Sequence, residues 1–232
     1  MIRTLVIALG LALATGCRSA SDDLAQSPGS SGSASGAAYE LTLTPMWTAA
    51  SHPLDYPKVG LLSGPHFSGL IGATHGSDFA LFGAGRAPTP GLERLSEEGK
   101  HSPLDAELRA MTAAGRAGML FESDAIKDLG RSATARVQVD DRFPMVSVVA
   151  MIAPSPDWFA GVANVDLKEG GQWVAEKMLE VFAWDSGGDD GTTYEAADAD
   201  TNPKKPTMMN DAPHFLRSGA RVPVARLTLK RM

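Results

Sequence analysis

Cysteine is almost absent from this chain, since Cys17 is the only one among 232 residues. A domain that follows a single cysteine can contain no internal disulfide, no thiolate metal site and no cysteine nucleophile. Its stability must therefore come from a hydrophobic core. About 190 residues follow the polar N-terminal stretch, which is enough to bury most of their apolar surface in one domain.

Clusters of Lys and Arg are also missing, and the net charge is −6 at pH 7. Nucleic acids and anionic membrane surfaces attract proteins that concentrate basic side chains. We therefore expect no nucleic-acid partner, and no binding to lipid through a charged surface. Acidic loops favour cations as partners instead.

No apolar run reaches the length of about 20 residues that a membrane-spanning helix needs. The run from Leu5 to Leu13 follows Arg3 and closes on Ala14-Thr15-Gly16-Cys17. This order predicts a signal peptide over residues 1–16, and the residues before Cys17 resemble a bacterial lipobox. We expect an exported protein, anchored to the cell envelope by lipid on Cys17, with the outer membrane as its destination. The alternative is an ordinary secretory signal in which Cys17 has no role.

Residues 17–38 consist largely of Ser, Gly, Ala and Asp. Such a composition cannot offset the entropy lost on ordering, so it predicts a flexible tether. A tether of this length reaches about 25 Å on average. The folded domain is then expected over residues 39–232.

Period-2 alternation predicts several strands. It is clearest at the two ends of the domain, where apolar and polar residues alternate from Tyr39 to Thr44 and from Val224 to Lys230. Further strands are expected at Ala135–Val139, Val146–Ile152 and Phe159–Asn164. With 24 glycines and 15 prolines, and without repeats, heptads or a phosphate-binding glycine motif, the fold class is mainly β, a sandwich.

One helix is well marked, because Ser102 can cap it, Pro103 suits its first position and Gly115 ends it. Leu92 to Glu98 is expected to form a shorter helical turn. The segment Trp173–Phe182 is ambiguous, since its apolar residues fit one face of a helix or of a strand.

Two Gly- and Pro-rich loops carry carboxylates at the ends of apolar strands: PSPDWFAG at 154–161 and WDSGGDDGT at 184–192. Ca²⁺ takes 6–8 oxygen ligands, and loops supply them as carboxylates and backbone carbonyls. Asp185 and Asp189 could converge on one ion, and the neighbouring glycines could turn carbonyls toward it. Taken alone, this pattern is more typical of a solvated turn than of an ion site, because Asp and Gly also dominate plain turns.

The residues at two required positions of the loop exclude an EF-hand. Counted from Asp185, the sixth position is Asp190 where Gly is needed, and the twelfth is Ala196 where a bidentate Glu is needed.

The two loops and their flanks resemble the N-terminal spondin domain of F-spondin and mindin. The matching residues are Tyr39, Trp47, His52-Pro53, Pro57, His66 to Ser68, Ile71 to His75, Leu95 to Gly99, Pro154 to Gly161 and Trp184 to Gly191. The resemblance implies a C2-like antiparallel β-sandwich with one or two short helices. It also implies an adhesion role and one calcium site held by Asp157, Asp185 and Asp189, and it favours a strand at Trp173–Phe182.

This chain departs from the family's animal members, because it has neither their cysteines nor their thrombospondin-type repeats. Gly188 stands where Thr usually precedes the third ligand, which leaves the ligand spacing intact. The acidic insert Glu195–Asp200 lies outside the shared pattern, and we expect it to form a mobile loop.

Two functions from different classes remain open. The first is a non-catalytic recognition module that binds calcium and presents a surface to a protein or glycan. The second is a calcium- or His-dependent envelope hydrolase, in which His75 acts as a general base beside Asp78 or as a metal ligand with His66. No G-x-S-x-G, H-E-x-x-H or paired-carboxylate motif accompanies His75, so the recognition module is favoured. Trp158 and Phe159 are expected in the core; the alternative is an exposed rim for a partner.

Overall fold

A computed structural model describes residues 36–58 and 64–232. The predicted signal peptide at 1–16, the predicted lipidation site Cys17 and the predicted tether up to residue 35 lie outside the described residues. Among the helices of the described part, none is long and apolar enough to cross a bilayer.

The described residues contain fourteen β-strands, two α-helices and one turn of 3-10 helix at Pro213–Phe215. In chain order the strands and α-helices are β1 (Ala37–Pro45), β2 (His66–Phe67), β3 (Ile71–His75), α1 (Pro90–Glu98), α2 (Leu104–Ala113), β4 (Ala117–Glu122), β5 (Ala133–Val139), β6 (Met145–Ala153), β7 (Trp158–Asp166), β8 (Lys168–Glu169), β9 (Gln172–Trp173), β10 (Glu176–Asp185), β11 (Met208–Met209), β12 (Leu216–Arg217), β13 (Ala220–Arg221) and β14 (Ala225–Arg231).

Two antiparallel layers share the long strand β10. Residues 176–181 of β10 pair with β14, which continues through β1 to β5. Residues 182–185 of β10 pair with β7, which continues through β6 and β3 to β4. The mainly β, antiparallel sandwich with two short helices is therefore confirmed.

The first layer contributes every second residue to the core, as the alternation predicted. Tyr39, Leu41 and Leu43 of β1 are buried and lie opposite Arg231, Leu229 and Leu227 of β14. β1 begins at Ala37, two residues before the predicted start.

The second layer is buried on both faces. Val148, Ala150 and Ile152 of β6 pack in the core between the layers. Val149 packs on the opposite face, in a second core that α1 and α2 supply with Leu92, Leu95, Leu104 and Leu108. This double burial explains why β6 is a continuous apolar run rather than an alternating one.

Both helices form, but their ends differ from the prediction. α1 is a complete helix whose cap, the Thr89 hydroxyl, accepts a hydrogen bond from the Leu92 amide at 3.1 Å. α2 begins at Leu104, and the capping position is Pro103, without a side-chain cap. The predicted Ser102 cap is therefore wrong. The segment Trp173–Phe182 is extended, since β9 ends at Trp173 and β10 begins at Glu176, as the family resemblance favoured.

Candidate cation site

Asp157 and Asp185 lie side by side at one end of the sandwich. Asp157 immediately precedes β7, and Asp185 is the last residue of β10, opposite Trp158 in the register. Trp158 is 1% exposed and Phe159 is fully buried. Both aromatic side chains are therefore core residues, as predicted, and they fix the strand end that carries Asp157.

The segment 186–189 wraps around the Asp157 carboxylate. Its Oδ2 accepts hydrogen bonds from the Ser186 hydroxyl at 2.9 Å, the Gly188 amide at 2.8 Å and the Asp189 amide at 3.2 Å. Asp157 is fully buried, and its Oδ1 has no hydrogen-bond partner in the described structure. A buried carboxylate oxygen without a partner is unfavourable, and a bound cation is one way to satisfy it.

Asp185 adds a second carboxylate beside this buried charge. Its Oδ1 accepts a hydrogen bond from the Gly187 amide at 2.9 Å. Burial, together with the nearby charge of Asp157, raises the pKa of Asp185 to about 6. Burial also raises the pKa of Asp157. The two strand ends thus hold negative charge that is unfavourable without a cation.

Asp189 is held by the loop that follows it. Its Oδ1 accepts from the Gly191 amide at 2.6 Å, and its Oδ2 accepts from the Ala199 amide at 2.7 Å. Each oxygen of an ionised carboxylate has a further lone pair, so Asp189 retains acceptor capacity.

The acidic insert Glu195–Asp200 lies beside this loop and pairs with it through the main chain. Asp200 pairs with Asp189 in an isolated antiparallel bridge, and the Asp190 amide donates to Ala199 O at 2.9 Å. Tyr194, just before the insert, is 3% exposed. These backbone pairs and this aromatic anchor tie the insert to the site.

The loop carbonyls are already hydrogen-bonded within the protein. Ser186 O accepts from the Thr207 hydroxyl, Gly187 O from the Lys205 amide and Gly188 O from the Thr201 amide. Gly187 has φ +86°, and a Cβ on it would lie 2.2 Å from Lys205 O, so only glycine fits there. The expectation that these glycines free their carbonyls for an ion is not met directly. Ser186 O and Gly187 O each keep a second lone pair, whereas Gly188 O also accepts a hydrogen bond from Lys204 Nζ.

In the described residues, no three Asp, Glu, His or Cys side chains surround a common point at metal-binding distance. Asp157, Asp185 and Asp189 are neighbours through the contacts above, but their free lone pairs do not yet converge. The donor set fits Ca²⁺ in atom type and charge, and ion binding requires the side chains to rotate toward one point.

The sequence interpretation missed an acidic face of α1 beside the same loop. Glu93 and Glu97 lie one helical turn apart, and this i, i+4 spacing was a signal that could have been used. Burial and the charges of Glu93, Asp157 and Asp189 raise the pKa of Glu97 to about 7, against the opposing effect of Lys204. Lys204 Nζ donates to Gly188 O at 3.2 Å, pairs with Glu93 Oε1 at 2.7 Å and contacts Asp200.

His75 lies elsewhere, inside the second layer, and is fully buried. Its Nδ1 is 2.7 Å from Gly76 O and its Nε2 is 2.7 Å from the Ser147 hydroxyl. Burial lowers the pKa of His75, so the ring is neutral at pH 7. With both nitrogens engaged and no exposure, His75 holds two strands together and does not present a base to solvent.

A family model, Spondin_N, matches residues 37–214 of the chain, which cover β1 to β11 and both acidic loops. The chain belongs to the Spondin_N family. Spondin-2 from Homo sapiens is 30% identical over 207 residues, a region that covers 84% of this chain and 62% of the relative. Spondin-1 from Xenopus laevis is 30% identical over 214 residues, covering 84% of this chain and 25% of the relative.

The Spondin_N match extends over α1 as well as the three aspartates. The chain spans a little under two thirds of Spondin-2 and a quarter of Spondin-1.

Proposed function

We propose that this protein is a non-catalytic recognition and adhesion module that binds one calcium ion at Asp157, Asp185 and Asp189. The observation that carries the proposal is the fully buried Asp157, whose Oδ1 has no hydrogen-bond partner in the described structure. Asp185 beside it has a raised pKa, so a divalent cation would relieve charge repulsion there. Carboxylate oxygens on short loops are the donors that Ca²⁺ prefers.

In this proposal calcium stiffens one end of the sandwich. Asp157 comes from the β6–β7 connection, whereas Asp185 and Asp189 come from the end of β10 and the loop after it. An ion held by both segments links them only in the folded chain, so binding stabilises the native state. The stiffened end would then present a fixed surface to an unidentified protein or glycan. Membership in the Spondin_N family supports the adhesion role.

We further propose that the module is displayed on the cell envelope. The support is the apolar run closing on Ala14-Thr15-Gly16-Cys17, which places a lipid-acceptor cysteine ahead of the Ser- and Gly-rich stretch. The lipid on Cys17 would be the only membrane contact, and the domain would face the extracytoplasmic side.

The experiment is a set of thermal melts of the purified protein in EDTA, in calcium and in magnesium. Calcium at about 100 times its Kd adds roughly 2.7 kcal/mol to the free energy of unfolding. For a domain of this size, that corresponds to a rise in Tm of roughly 5–10 °C. Magnesium is expected to give a much smaller rise, because it keeps its waters and requires a tight octahedral site.

Asp190→Asn is the matched control, since Asp190 is exposed and pairs with Lys205 in the same loop. The control should keep the calcium response, and Asp185→Asn should lose it. Equal melting temperatures in EDTA and in millimolar calcium would contradict the proposed site. An equal response to magnesium would contradict its selectivity.

A further inference from the structure

The face of α1 that carries Glu93 and Glu97 meets the acidic loop at Gly188. A Cβ built on Gly188 would lie 2.6 Å from Glu97 Oε1 and 3.1 Å from Glu93 Cγ. The space that a side chain at position 188 would fill is therefore taken by the Glu97 carboxylate. Gly188 also donates its amide to Asp157 Oδ2 at 2.8 Å. One residue thus lies between the helix carboxylate and the buried aspartate.

The Glu97 carboxylate makes no hydrogen bond or ion pair with the residues that the structure describes. Its neighbours Glu93, Asp157 and Asp189 are acidic, and their charges raise the pKa of Glu97. The nearest cation is the Lys204 ammonium, whose three donors are used by Glu93, Asp200 and Gly188 O. A half-buried carboxylate in this position has acceptor capacity that no hydrogen bond in the described structure uses, and Lys204 offsets only part of the repulsion from its acidic neighbours.

A second feature points to a ligand on the other side of Gly188. Asp157 is fully buried, and the oxygen that the loop leaves free, Oδ1, has no partner. The other oxygen of Asp157, Oδ2, accepts from two loop amides and from the Ser186 hydroxyl. The Asp157 carboxylate is therefore held against the same loop that α1 approaches with Glu97. Buried polar atoms without partners are rare in native proteins, and a bound ion is one group that satisfies such atoms.

Solvent can reach the helix side of this cluster. A surface depression of about 320 Å³ is lined by Pro90, Glu93, Arg94, Glu97, Glu98 and Pro103. A hydrated divalent cation has a route to the Glu97 carboxylate through this depression, without opening the sandwich.

We propose that Glu97 is a further cation-binding residue and that it joins Asp157, Asp185 and Asp189 in one site. This inference rests on the proposed function and extends it, because the ion then links α1 to the two acidic loops. Four carboxylates supply a charge that suits a hard divalent cation, and affinity for calcium rises with the number of charged ligands. Glycine at position 188 is required in this arrangement, since it admits the helix carboxylate to the loop.

The test is calcium titration of the full chain by calorimetry, with variants of Glu97, Gly188, Glu98 and Asp185. Glu97→Gln keeps the size of the side chain and removes its charge, and it should weaken calcium binding about tenfold or more. Glu98→Gln is the matched control, because Glu98 is the next residue of α1, is exposed and pairs with Arg94 and Lys100. It should bind calcium as the unchanged protein does.

Gly188→Ala tests the same contact from the loop side. The backbone at Gly188 is not in the left-handed region, so alanine can adopt it. The added methyl group would lie 2.6 Å from Glu97 Oε1 and displace that carboxylate, with Glu93 Cγ at 3.1 Å and Ser186 Oγ at 3.3 Å as the next neighbours. We expect Gly188→Ala to weaken calcium binding as Glu97→Gln does, and the double variant to be no weaker than either single one.

Two failures can be told apart. If Asp185→Asn abolishes calcium binding while Glu97→Gln and Gly188→Ala match the Glu98→Gln control, Glu97 is not part of the site and only this inference is overturned. If Asp185→Asn itself leaves calcium binding unchanged, the proposed function fails and the inference fails with it.

Discussion

Removing the charge of Asp185 should stabilise the domain without calcium and destabilise it, relative to the unchanged protein, with calcium. The reason is that the Asp185 carboxylate is partly buried next to Asp157, and its pKa rises from 3.8 to about 6. A pKa shift of one unit corresponds to about 1.4 kcal/mol, so keeping Asp185 ionised at pH 7 costs on the order of 2–3 kcal/mol. Asp185→Asn removes that cost and keeps the oxygen that accepts from the Gly187 amide.

In EDTA at pH 7, Asp185→Asn should therefore melt above the unchanged protein by about 4–12 °C. The sign follows from linkage. A carboxyl whose pKa is higher in the folded than in the unfolded state contributes stability that is complete below about pH 4 and lost as pH rises through about 6. The advantage of the variant should accordingly vanish at pH 4 and be complete above pH 7.

With calcium at about 1,000 times Kd the order should reverse, because only the unchanged protein then gains a binding free energy of roughly 4.1 kcal/mol, which exceeds the advantage of the variant. Differential scanning calorimetry at pH 4, 6 and 8, in EDTA and in calcium, measures all of these differences. A lower Tm of Asp185→Asn in EDTA at pH 8 would refute the repulsion argument. The control Asp190→Asn should show no crossover, since Asp190 is exposed and paired with Lys205.

Two further predictions concern the rest of the chain. Cys17→Ser should abolish lipid labelling and release the protein from the membrane fraction, as measured by metabolic labelling and fractionation; unchanged fractionation would contradict the anchor. His75→Ala should lower the free energy of unfolding by about 2–4 kcal/mol, because it removes one of the two hydrogen-bond partners of the buried Ser147 hydroxyl and opens a cavity. Calcium affinity should not change, and a variant of normal stability would show that His75 is not structural.

The first and last strands, β1 and β14, were predictable from sequence because each has one buried and one exposed face. In β14, Ala225, Leu227 and Leu229 are buried while Arg226 and Lys230 are exposed, so the period of the sequence reports burial directly. β3 (Ile71–His75) is buried at every position and includes Gly72 and His75, so no alternation marks it. Its pairing with β4 and β6 depends on contacts far apart in the chain.

The candidate site was predictable only in part, because it too depends on contacts between residues far apart in the chain. Asp157, Asp185 and Asp189 follow or precede strongly apolar strands, and the family resemblance identifies them. Glu97 comes from a helix about sixty residues earlier in the chain, and its position beside Gly188 depends on how α1 packs on the second layer. The backbone pairing of the acidic insert was not predictable from its charge, since Glu195, Asp198 and Asp200 are exposed and the pairs are made by the main chain.

The most direct measurement of the central claim is a crystal structure of the protein grown in calcium, with anomalous scattering data to identify the ion. We predict one calcium peak at the end of the sandwich, with oxygen ligands from Asp157, Asp185 and Asp189 at about 2.3–2.6 Å. Asp157 Oδ1, which has no partner in the described structure, should be among those ligands. Saturating calcium without a peak at these aspartates, or with the peak at another place on the domain, would contradict the account.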